Sequence, residues 1–365
     1  MLLQTKPPYS RPVAVDVFSG AGGLTVGMKR AGFKVAAAVE IEEHAFATYK
    51  TNHPEVHAFK QDVRTVRGGS LKRAAGGCVD LLAGCPPCQG FSTLTNPSTK
   101  RDPRNDLVLE MARLVEEIKP RAIMMENVPG LADRGKPLFN RLLKKLDELK
   151  YRYTWDVLQV ADYGVPQNRR RLVLLAGKGM DLTLPPPTHH RTGAGGLASW
   201  RTLREVIFGM DSPTLLEDSW KEGGPQHFNW HVIRRMSPEN VARLRKTRPG
   251  VSRATLPNRL RPDCHKSVDK GYTNVYGRMS WDQLPVTITG GCTTLSKGRF
   301  GHPSELRTIS VREAARIQTF PDDYIFDCPY MEYVCAMIGN ALPCDFAELL
   351  SASVARQLSA KKLKK

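Results

Sequence analysis

The order of apolar and polar positions divides the chain into a regular first half, an irregular middle and a regular end. Between residues 13 and 176, short apolar runs alternate with stretches whose apolar residues recur at helical spacing. Four of the runs predict buried strands, which cover residues 13–18, 35–39, 79–83 and 122–125. Because strands alternate with helices, we expect an α/β fold whose sheet is largely parallel and covered by helices on both faces.

Helical patterns lie inside the first half and at the end of the chain. Apolar residues spaced as on one helix face predict a helix over 107–118, which a proline at position 120 ends. The regular pattern resumes at Ser310, and a closing helix is predicted over 346–358, before a basic tail at 361–365. We take that tail as a solvated end of the chain.

The chain changes character after three consecutive prolines at 185–187. Residues 189–306 are rich in Arg, Gly, Pro and His and contain one convincing helix pattern, at 238–245. We therefore expect a first domain over 1–188, a smaller, irregular and loop-rich domain over 189–306, and a C-terminal segment over 307–365.

Composition adds a strong positive charge. Lys and Arg number 54 against 36 Asp and Glu, which gives a formal net charge of +18. An excess of this size favours a nucleic-acid partner, because neutralising phosphates releases their counterions, although a merely solvated basic surface has the same composition. Apolar runs are too short for a membrane helix, and residues 1–11 lack the apolar core of a secretory signal. We expect a cytoplasmic protein with no membrane partner.

The eight cysteines are scattered through a chain long enough to fold without disulfide bonds. Cys85 and Cys88 form a Cys-x-x-Cys pair, and no second pair follows at the spacing of zinc ligands. We therefore expect no metal site. The Cys85 and Cys88 pair can therefore be interpreted either as a redox centre or as the site of a nucleophile.

Cys88 lies in the segment Gly84–Ser92, directly after the predicted strand at 79–83. Ligands of open α/β sheets lie outside the carboxyl ends of the strands, so a cysteine there is a candidate nucleophile. The alternatives are an inert buried thiol and a redox pair. A redox Cys-x-x-Cys normally opens a helix, whereas two prolines precede Cys88 and Gly90 follows it. The sequence favours a rigid loop that carries a nucleophilic Cys88.

Residues Asp16–Gly23 join a strand end to a glycine-rich turn and then to a helix. The pattern is Gly-x-Gly-Gly, with Thr25 where the dinucleotide fingerprint has its third glycine, so NAD is disfavoured. Glu40 ends the next strand, where a carboxylate can accept hydrogen bonds from two ribose hydroxyls. Asp62 ends the unit after that and could meet an adenine amino group. Together these residues indicate a cofactor that contains adenosine.

Two further polar groups flank predicted strands. Glu126 ends the strand at 122–125 and would point into the same crevice as Cys88, unless it only pairs with a nearby arginine. The group Gln167–Arg171 precedes an apolar run at 172–176, so it can reach the crevice only if that strand runs antiparallel to the others. Otherwise, three adjacent arginines are typical of a solvated basic cluster.

These motifs resemble those of the DNA cytosine-C5 methyltransferase family. The glycine-rich turn, Pro-Cys-Gln, Glu-Asn-Val and Gln-x-Arg-x-Arg occur in the family's order, and residues 310–321 and 338–343 resemble its ninth and tenth motifs. The resemblance spans residues 12–357 apart from the variable stretch. It implies the α/β fold of S-adenosylmethionine-dependent methyltransferases, with a mixed, mostly parallel, doubly wound sheet. Residues 1–188 would be the catalytic and cofactor-binding domain, 189–306 a smaller irregular target recognition domain, and 307–365 a segment that returns to the catalytic domain.

The resemblance implies a role for each catalytic residue. Cys88, which the family pattern selects over Cys85 because it follows Pro-Pro, would attack C6 of a flipped cytosine as the thiolate and make C5 nucleophilic. Glu126 would hold the ring at N3 and the exocyclic amine. Arg171, together with Arg169, would contact O2 and stabilise developing negative charge. A base would then remove the C5 proton, and the sulfur would leave.

The resemblance also implies S-adenosyl-L-methionine as the cofactor. Phe18 and the glycine turn would lie along the methionine and the adenosine, and Asn340 would close the site from the C-terminal segment. The expected cofactor-binding residues are Phe18, Gly20, Gly22, Gly23, Leu24, Glu40, Ile41, Asp62, Val63, Pro87, Leu107, Asn340 and Ala341.

The implied partner is double-stranded DNA of a specific sequence, contacted by the arginines and polar loops of residues 189–306. The motif order and the short N-terminal segment are similar to stand-alone enzymes of the prokaryotic restriction-modification type. We expect a monomer, associated with the nucleoid through DNA, with a possible cognate restriction endonuclease in the same system.

Two alternatives stay open. One is an RNA cytosine-C5 methyltransferase on the same scaffold, although the long variable stretch and the basic charge favour duplex DNA. The other is a nucleic-acid-binding protein without catalysis, against which the intact Cys88, Glu126 and Arg171 argue.

Overall fold

The computed structural model describes residues 11–87, 103–263, 266 and 274–362. Within them a sheet of seven strands contains β1 (Val13–Val17), β2 (Lys34–Glu40), β3 (His57–Lys60), β4 (Leu81–Gly84), β5 (Ala122–Asn127), β6 (Tyr151–Gln159) and β7 (Arg170–Lys178). Their spatial order is β3-β2-β1-β4-β5-β7-β6. Neighbours from β3 to β5 pair in parallel, whereas β7 runs antiparallel to both β5 and β6. The predicted α/β class, with a mixed and mostly parallel sheet, is confirmed.

Helices cover both faces of this sheet. The first half of the chain contains α1 (Gly23–Arg30), α2 (Glu43–Asn52), α3 (Gly68–Ala74), α4 (Leu107–Ile118) and α5 (Lys136–Glu148). Val15 and Val17 of β1 pack with the buried side chains of α3, α4 and α5, while Ala14 faces the other way and packs with those of α1 and α2. Burial on both faces explains why the central strands are continuous apolar runs and could be predicted from the sequence.

The middle of the chain is largely irregular. Its short elements are β8 (His189–His190), β9 (Ala198–Ser199), α6 (Arg204–Ile207), β10 (Thr214–Leu215), α7 (Leu216–Ser219), β11 (Val232–Ile233) and α8 (Pro238–Lys246). The start of α8 is specified by the sequence, because the Ser237 hydroxyl accepts a hydrogen bond from the Asn240 N–H and Pro238 takes the first helical position.

Regular structure returns in the C-terminal segment. Its helices are α9 (Val311–Ile317), α10 (Met331–Asn340) and α11 (Cys344–Lys362). Leu203, Trp230 and Phe300 of the irregular middle share one buried apolar cluster with the inner faces of α9 and α10. In contrast, α11 packs on α1 in the cluster that covers the sheet. The C-terminal segment therefore connects the irregular middle to the sheet.

The segment Met331–Ala360, which includes α10 and most of α11, is long and apolar enough to cross a membrane, and within the described ranges it is the one such segment. However, 67% of its most apolar window is buried inside the protein. This burial is typical of a core helix, in agreement with the packing of α11 on α1.

Candidate active site

A cavity of about 1200 Å³ lies at the carboxyl ends of the parallel strands. Phe18, Glu40, Cys85 and Glu126, which end or directly follow β1, β2, β4 and β5, all line it. This edge is where open α/β sheets bind their ligands. The predicted site residues found in its lining are Phe18, Gly20, Gly23, Leu24, Glu40, Ile41, Asp62, Val63, Pro87, Leu107, Glu126, Arg169, Arg171, Asn340 and Ala341. Cys88 lies outside the described residues.

The glycine turn after β1 bends sharply around one wall of the cavity. Phe18 and Gly20 adopt left-handed backbone conformations, with φ of 60° and 53°, and Gly22 does so with φ of 95° as the N-cap of α1. A Cβ on Gly22 would lie 2.6 Å from His53 Nε2 and 2.8 Å from the Tyr324 hydroxyl. Gly22, predicted as a cofactor contact, therefore faces the protein behind the turn and lies outside the cavity lining.

Buried polar side chains support this turn from behind. The Tyr324 hydroxyl donates a short hydrogen bond to the carbonyl of Ala21 and lies 3.4 Å from His53 Nε2. Lys29 Nζ lies 3.1 Å from His53 Nδ1, and burial lowers the pKa of His53 to about 4. The ring is therefore neutral near pH 7, with Nδ1 accepting from Lys29 and Nε2–H directed at Tyr324. Sequence analysis did not single out Tyr324 or His53.

Glu40 joins the end of β2 to the glycine turn. One carboxylate oxygen accepts the Gly20 N–H at 2.7 Å, and the other accepts the N–H groups of Ile41 and Glu42 at 2.9 and 2.8 Å. Burial raises the pKa of Glu40, and these three N–H groups act in the opposite direction. A carboxylate held in this way keeps lone pairs for further donors on its cavity side.

Asp62 and Val63 lie at the same rim of the cavity. Arg64 Nε lies 3.0 Å from both carboxylate oxygens of Asp62, and these hydrogen bonds lower the pKa of Asp62. The Arg64 side chain itself is largely exposed. Asp62 is therefore an ionised acceptor at the rim, with one arginine already beside it.

Glu126 and Arg171 form an ion pair deep in the cavity. Arg171 Nε lies 2.5 Å from Glu126 Oε1, and their side chains are 14% and 9% exposed. The pair exists because β7 runs antiparallel to β5, which brings the residue before Leu172 to the same edge as the end of β5. The antiparallel direction of β7 is the condition under which we expected the Gln-x-Arg-x-Arg group to reach the crevice. A planar ligand with adjacent hydrogen-bond donors and acceptors along one edge could bond to both side chains at once.

The loop after β4 is tied to β5 beside this pair. The side-chain N–H of Asn127 donates to the carbonyl of Pro86 at 3.0 Å, two residues before Cys88. Burial raises the pKa of the Cys85 thiol well above its ordinary value, and the negative charge of Glu126 raises it further. Cys85 is therefore protonated and a poor nucleophile. The positioning role of Asn127 was not predicted.

Asp16 is a fully buried acid beneath the glycine turn. Its Oδ2 accepts a hydrogen bond from the Thr25 hydroxyl at 2.6 Å, and that hydroxyl also lies 2.8 Å from the Tyr49 hydroxyl. Burial raises the pKa of Asp16 to about 7, against the opposing effect of the Thr25 hydrogen bond. Near neutral pH, the carboxyl is thus poised between its two ionisation states.

The other predicted arginine, Arg169, is held differently from Arg171. Its guanidinium is 2% exposed and donates to the main-chain carbonyls of Ile288, Gly339 and Ala341. Further basic side chains complete the lining, namely Arg64, Arg104, Arg170, Lys297 and Arg299. The cavity is therefore suited to an anionic ligand.

Within the described part of the chain, no group of three or more His, Cys, Asp or Glu side chains is arranged to hold a metal ion. The chemistry of the cavity is that of carboxylates, guanidinium groups and a thiol-bearing loop.

Known structures share this architecture. A DNA modification methyltransferase encoded within a prophage, from E. coli, superposes with a TM-score of 0.72 over 95% of this chain and 99% of its own, at 23% identity. That likeness defines the fold alone, which is the fold of S-adenosylmethionine-dependent methyltransferases.

Sequence comparison identifies the family. The model of the C-5 cytosine-specific DNA methylase family matches residues 13–356. The type II methylase M.HgiDII of Herpetosiphon aurantiacus is 35% identical over 352 residues, which cover 94% of this chain and 95% of the relative. The type II methyltransferase M1.BsuMI of Bacillus subtilis is 31% identical over 353 residues, 92% of this chain and 78% of the relative. The chain belongs to the C-5 cytosine-specific DNA methylase family and is a DNA (cytosine-5)-methyltransferase.

Proposed function

We propose that the protein methylates C5 of a cytosine that is flipped out of a specific duplex DNA sequence, through a covalent bond between Cys88 and C6. The observation that carries this proposal is the Glu126–Arg171 ion pair in a cavity at the strand ends. Pro87, the residue before Cys88, lines the same cavity. A carboxylate, a guanidinium and the described residues 85–87, which directly precede Cys88, therefore face one space.

The pair suits the edge of a cytosine ring. One oxygen of Glu126 can accept from the exocyclic amine while the other stabilises the protonated N3 that forms, and Arg171 can donate to O2. These hydrogen bonds strengthen as the ring gains electrons, so they stabilise the transition state more than the ground state. Removal of bulk water from this buried site adds to their effect.

Cys88 supplies the electrons. The thiolate adds to C6, and the electron pair of the C5–C6 double bond becomes available at C5. C5 would form the new carbon–carbon bond with the methyl group as the bond between that group and its sulfur breaks, and S-adenosylhomocysteine would be the leaving group. A base then removes the proton from C5, the double bond re-forms, and the thiolate leaves C6. Because the described thiol of Cys85 is buried and protonated, we assign the nucleophile to Cys88.

The residues around the glycine turn fit S-adenosyl-L-methionine. A Cβ on Gly20 would meet no atom within 4 Å, so the turn leaves open space above its backbone for a ligand. Glu40 can accept from ribose hydroxyls, Asp62 from the adenine amino group, and Asn340 can close the methionine end. When bound, the cofactor supplies an electrophilic methyl group. The chain's own residues hold it and exclude water.

Duplex DNA is the proposed substrate form, with residues 189–306 as its recognition domain. Flipping a base costs a few kcal/mol, which contacts elsewhere must offset. The net charge of +18 and the basic cavity lining can supply phosphate contacts. The irregular segments between α6 and α9 place polar side chains beside the cavity, for example Thr287 and Lys297.

The biological setting follows from the relatives. Both relatives described above are named type II enzymes, the modification partners in restriction systems. We infer that this protein acts as a monomer on nucleoid DNA and protects sites that a cognate restriction endonuclease would cleave.

The covalent step has a direct test. DNA in which 5-fluorocytosine replaces cytosine should trap the wild-type protein, because a fluorine at C5 cannot leave as a proton does. Cys88→Ser should abolish both trapping and methyl transfer, whereas Cys85→Ser should retain them. Trapping that survives Cys88→Ser and disappears in Cys85→Ser would move the nucleophile to Cys85.

A further inference from the structure

A buried polar network lies where β7 begins. It contains Gln167, Arg169 and Gln318, whose side chains are 0%, 2% and 0% exposed. Gln167 and Gln318 are 151 positions apart in the chain, so the tertiary fold, and not local sequence, brings them together. Polar groups this deep require hydrogen-bond partners.

Arg169 is the centre of the network. Its Nη1 donates to the carbonyl of Ile288 at 2.9 Å and to Gln167 Oε1 at 3.3 Å. Its Nη2 donates to the carbonyls of Gly339 and Ala341 at 2.9 and 3.3 Å. A guanidinium has four hydrogens on its two Nη atoms, and these four bonds use all of them. Only the Nε–H is without a partner among the described residues.

The two glutamines extend the same connections. Gln167 Oε1 accepts the N–H of Ile288 at 3.0 Å, and Gln167 Nε2 donates to Gln318 Oε1 at 2.8 Å. Gln318 Nε2 in turn donates to the carbonyls of Ile338 and Ala341 at 2.5 and 3.2 Å. The network therefore holds the turn around Asn340 on one side and the backbone at residue 288 on the other.

The same segment carries the base-holding arginine. Arg169 directly precedes β7 and Arg171 lies at its start, so only Arg170 separates the two arginines in the chain. Arg171 reaches Glu126 at 2.5 Å, while Arg169 reaches the turn that places Asn340 in the cavity. Movement of that turn must therefore act on the backbone that positions Arg171.

The arrangement is costly for stability. No carboxylate lies within ion-pair distance of Arg169 in the described structure, and burial, together with the charge of Arg171, lowers the pKa of Arg169. Carbonyl dipoles and the more distant negative charge of Glu126 offset the buried charge. An apolar side chain of similar length would avoid this desolvation cost, but it would leave the carbonyls of Ile288, Gly339 and Ala341 without these donors.

We propose that Arg169 is a positioning residue that couples the cofactor site to the base-holding pair Glu126–Arg171, so that occupancy of one site strengthens binding at the other. This inference rests on the proposed function of the cavity. The positioning role replaces the expected direct contact of Arg169 with the cytosine, because the Nη hydrogens of Arg169 are already bonded to main-chain carbonyls and to Gln167. A coupling of this kind is reciprocal, so it can be measured from either ligand.

Bisulfite sequencing of DNA from an expressing host first maps the site that the protein methylates. The test then measures the dissociation constant of S-adenosylhomocysteine with and without a saturating concentration of a duplex that contains this site. The full-length protein is compared with Arg169→Lys, which keeps the charge but loses the planar set of guanidinium donors, and with Arg169→Met, which removes the charge. Arg152→Lys is the matched control, because Arg152 lies on β6 and forms an exposed ion pair with Asp181. Urea unfolding verifies that each variant is folded.

Wild type and Arg152→Lys should bind the cofactor product roughly 5- to 150-fold more tightly with DNA present, the usual range of such couplings. In both Arg169 variants the ratio should fall to about one, even where Arg169→Met is as stable as wild type. A ratio that stays at the wild-type value in a folded Arg169 variant overturns the inference, as does a wild-type ratio of one. Wild-type protein that transfers no methyl group would instead overturn the proposed function.

Discussion

At the scale of single residues, the cavity contains carboxylates that each have defined partners. Glu126 faces Arg171, and Asp62 faces Arg64. Glu40 is held by main-chain N–H groups, which oppose the effect of burial on its pKa. Each of these groups presents a defined acceptor or donor to a ligand, which is the condition for selective binding of a polar molecule.

Removing the Glu40 carboxylate should weaken cofactor binding selectively. Glu40→Ala loses the acceptors proposed for the ribose hydroxyls, each worth about 1.5–3 kcal/mol when the acceptor is charged. We expect the affinity for S-adenosylhomocysteine, measured by calorimetry, to fall at least about tenfold, with DNA affinity unchanged. Glu43→Ala, which removes an exposed carboxylate on α2, serves as the control. Unchanged cofactor affinity in Glu40→Ala would remove Glu40 from the site.

Asp16 should make stability depend on pH. Because burial raises its pKa from 3.8 to about 7, the folded protein binds a proton that the unfolded chain releases between about pH 4 and pH 7. The free energy of unfolding of wild type should therefore fall through this window relative to Asp16→Asn, by up to about 1.4 kcal/mol per pH unit, and level off above it. Urea unfolding at pH 5, 6, 7 and 8 measures the difference. Asp133→Asn, a substitution at an exposed position, is the control. A difference for Asp16→Asn that stays constant or grows with pH would contradict the raised pKa of Asp16.

The residues that sequence analysis identified share one property. Glu40 and Glu126 each end a strand, so the order of apolar runs alone brings them to one edge of the sheet. Tyr324 could not be found in this way, because its partner Ala21 is 303 positions away. Asn127 was part of a recognised motif, yet its bond to Pro86 depends on the path of the loop after β4.

At the scale of elements, burial decides which strands could be predicted. The buried strands β1, β2, β4 and β5 were found from their apolar runs, and β4 begins at Leu81, two residues after the predicted start at Val79. The strands β3 and β6 were missed. Both lie at edges of the sheet, where half-exposed positions leave no continuous apolar run.

The contact between α1 and α11 should tolerate no added atom. A Cβ on Gly27 would lie 2.5 Å from Ala347 Cβ and 2.5 Å from the Glu348 nitrogen. Gly27→Ala should therefore lower the free energy of unfolding by about 1–3 kcal/mol, measured by urea denaturation.

Gly69 in α3 provides the matched comparison for Gly27. A Cβ there would meet Arg73 at 3.7 Å, an ordinary contact with a flexible side chain. Gly69→Ala should therefore be neutral or stabilise the protein by up to about 1 kcal/mol, since alanine favours a helix. Equal effects of the two substitutions would show that helix propensity, and not the packing of α1 on α11, determines the result.

At the scale of the whole molecule, the positive charge and the irregular middle of the chain are the features on which we base the proposed contacts with DNA. The net charge of +18 is distributed over a chain whose irregular middle shares a core with α9 and α10, while the catalytic groups lie on the sheet. We propose that sequence recognition depends on the irregular middle and that the chemistry depends on residues at the edge of the sheet. The boundaries 189 and 306 remain a prediction of the sequence.

Exchange of residues 189–306 for the corresponding stretch of a relative should change the methylated sequence and keep the reaction. Bisulfite sequencing of host DNA provides the measurement. Methylation of the original site by the chimera would place sequence recognition outside this stretch.

DNA binding should also be strongly salt-dependent. If six to ten phosphates are neutralised, affinity should fall by roughly 10³- to 10⁵-fold between 50 and 200 mM salt. Fluorescence anisotropy with a labelled duplex measures this slope. A nearly flat dependence would mean that the basic side chains do not contact the phosphates.

The central claim, transfer of a methyl group to C5 of cytosine in DNA, is tested most directly by identifying the labelled nucleoside. The purified protein is incubated with tritiated S-adenosyl-L-methionine and either plasmid DNA or an RNA transcript of the same sequence, and the product is digested and separated. We predict that the label appears in 5-methyldeoxycytidine from the DNA alone. Label in 5-methylcytidine from the RNA, in any other nucleoside, or in neither substrate would contradict the account.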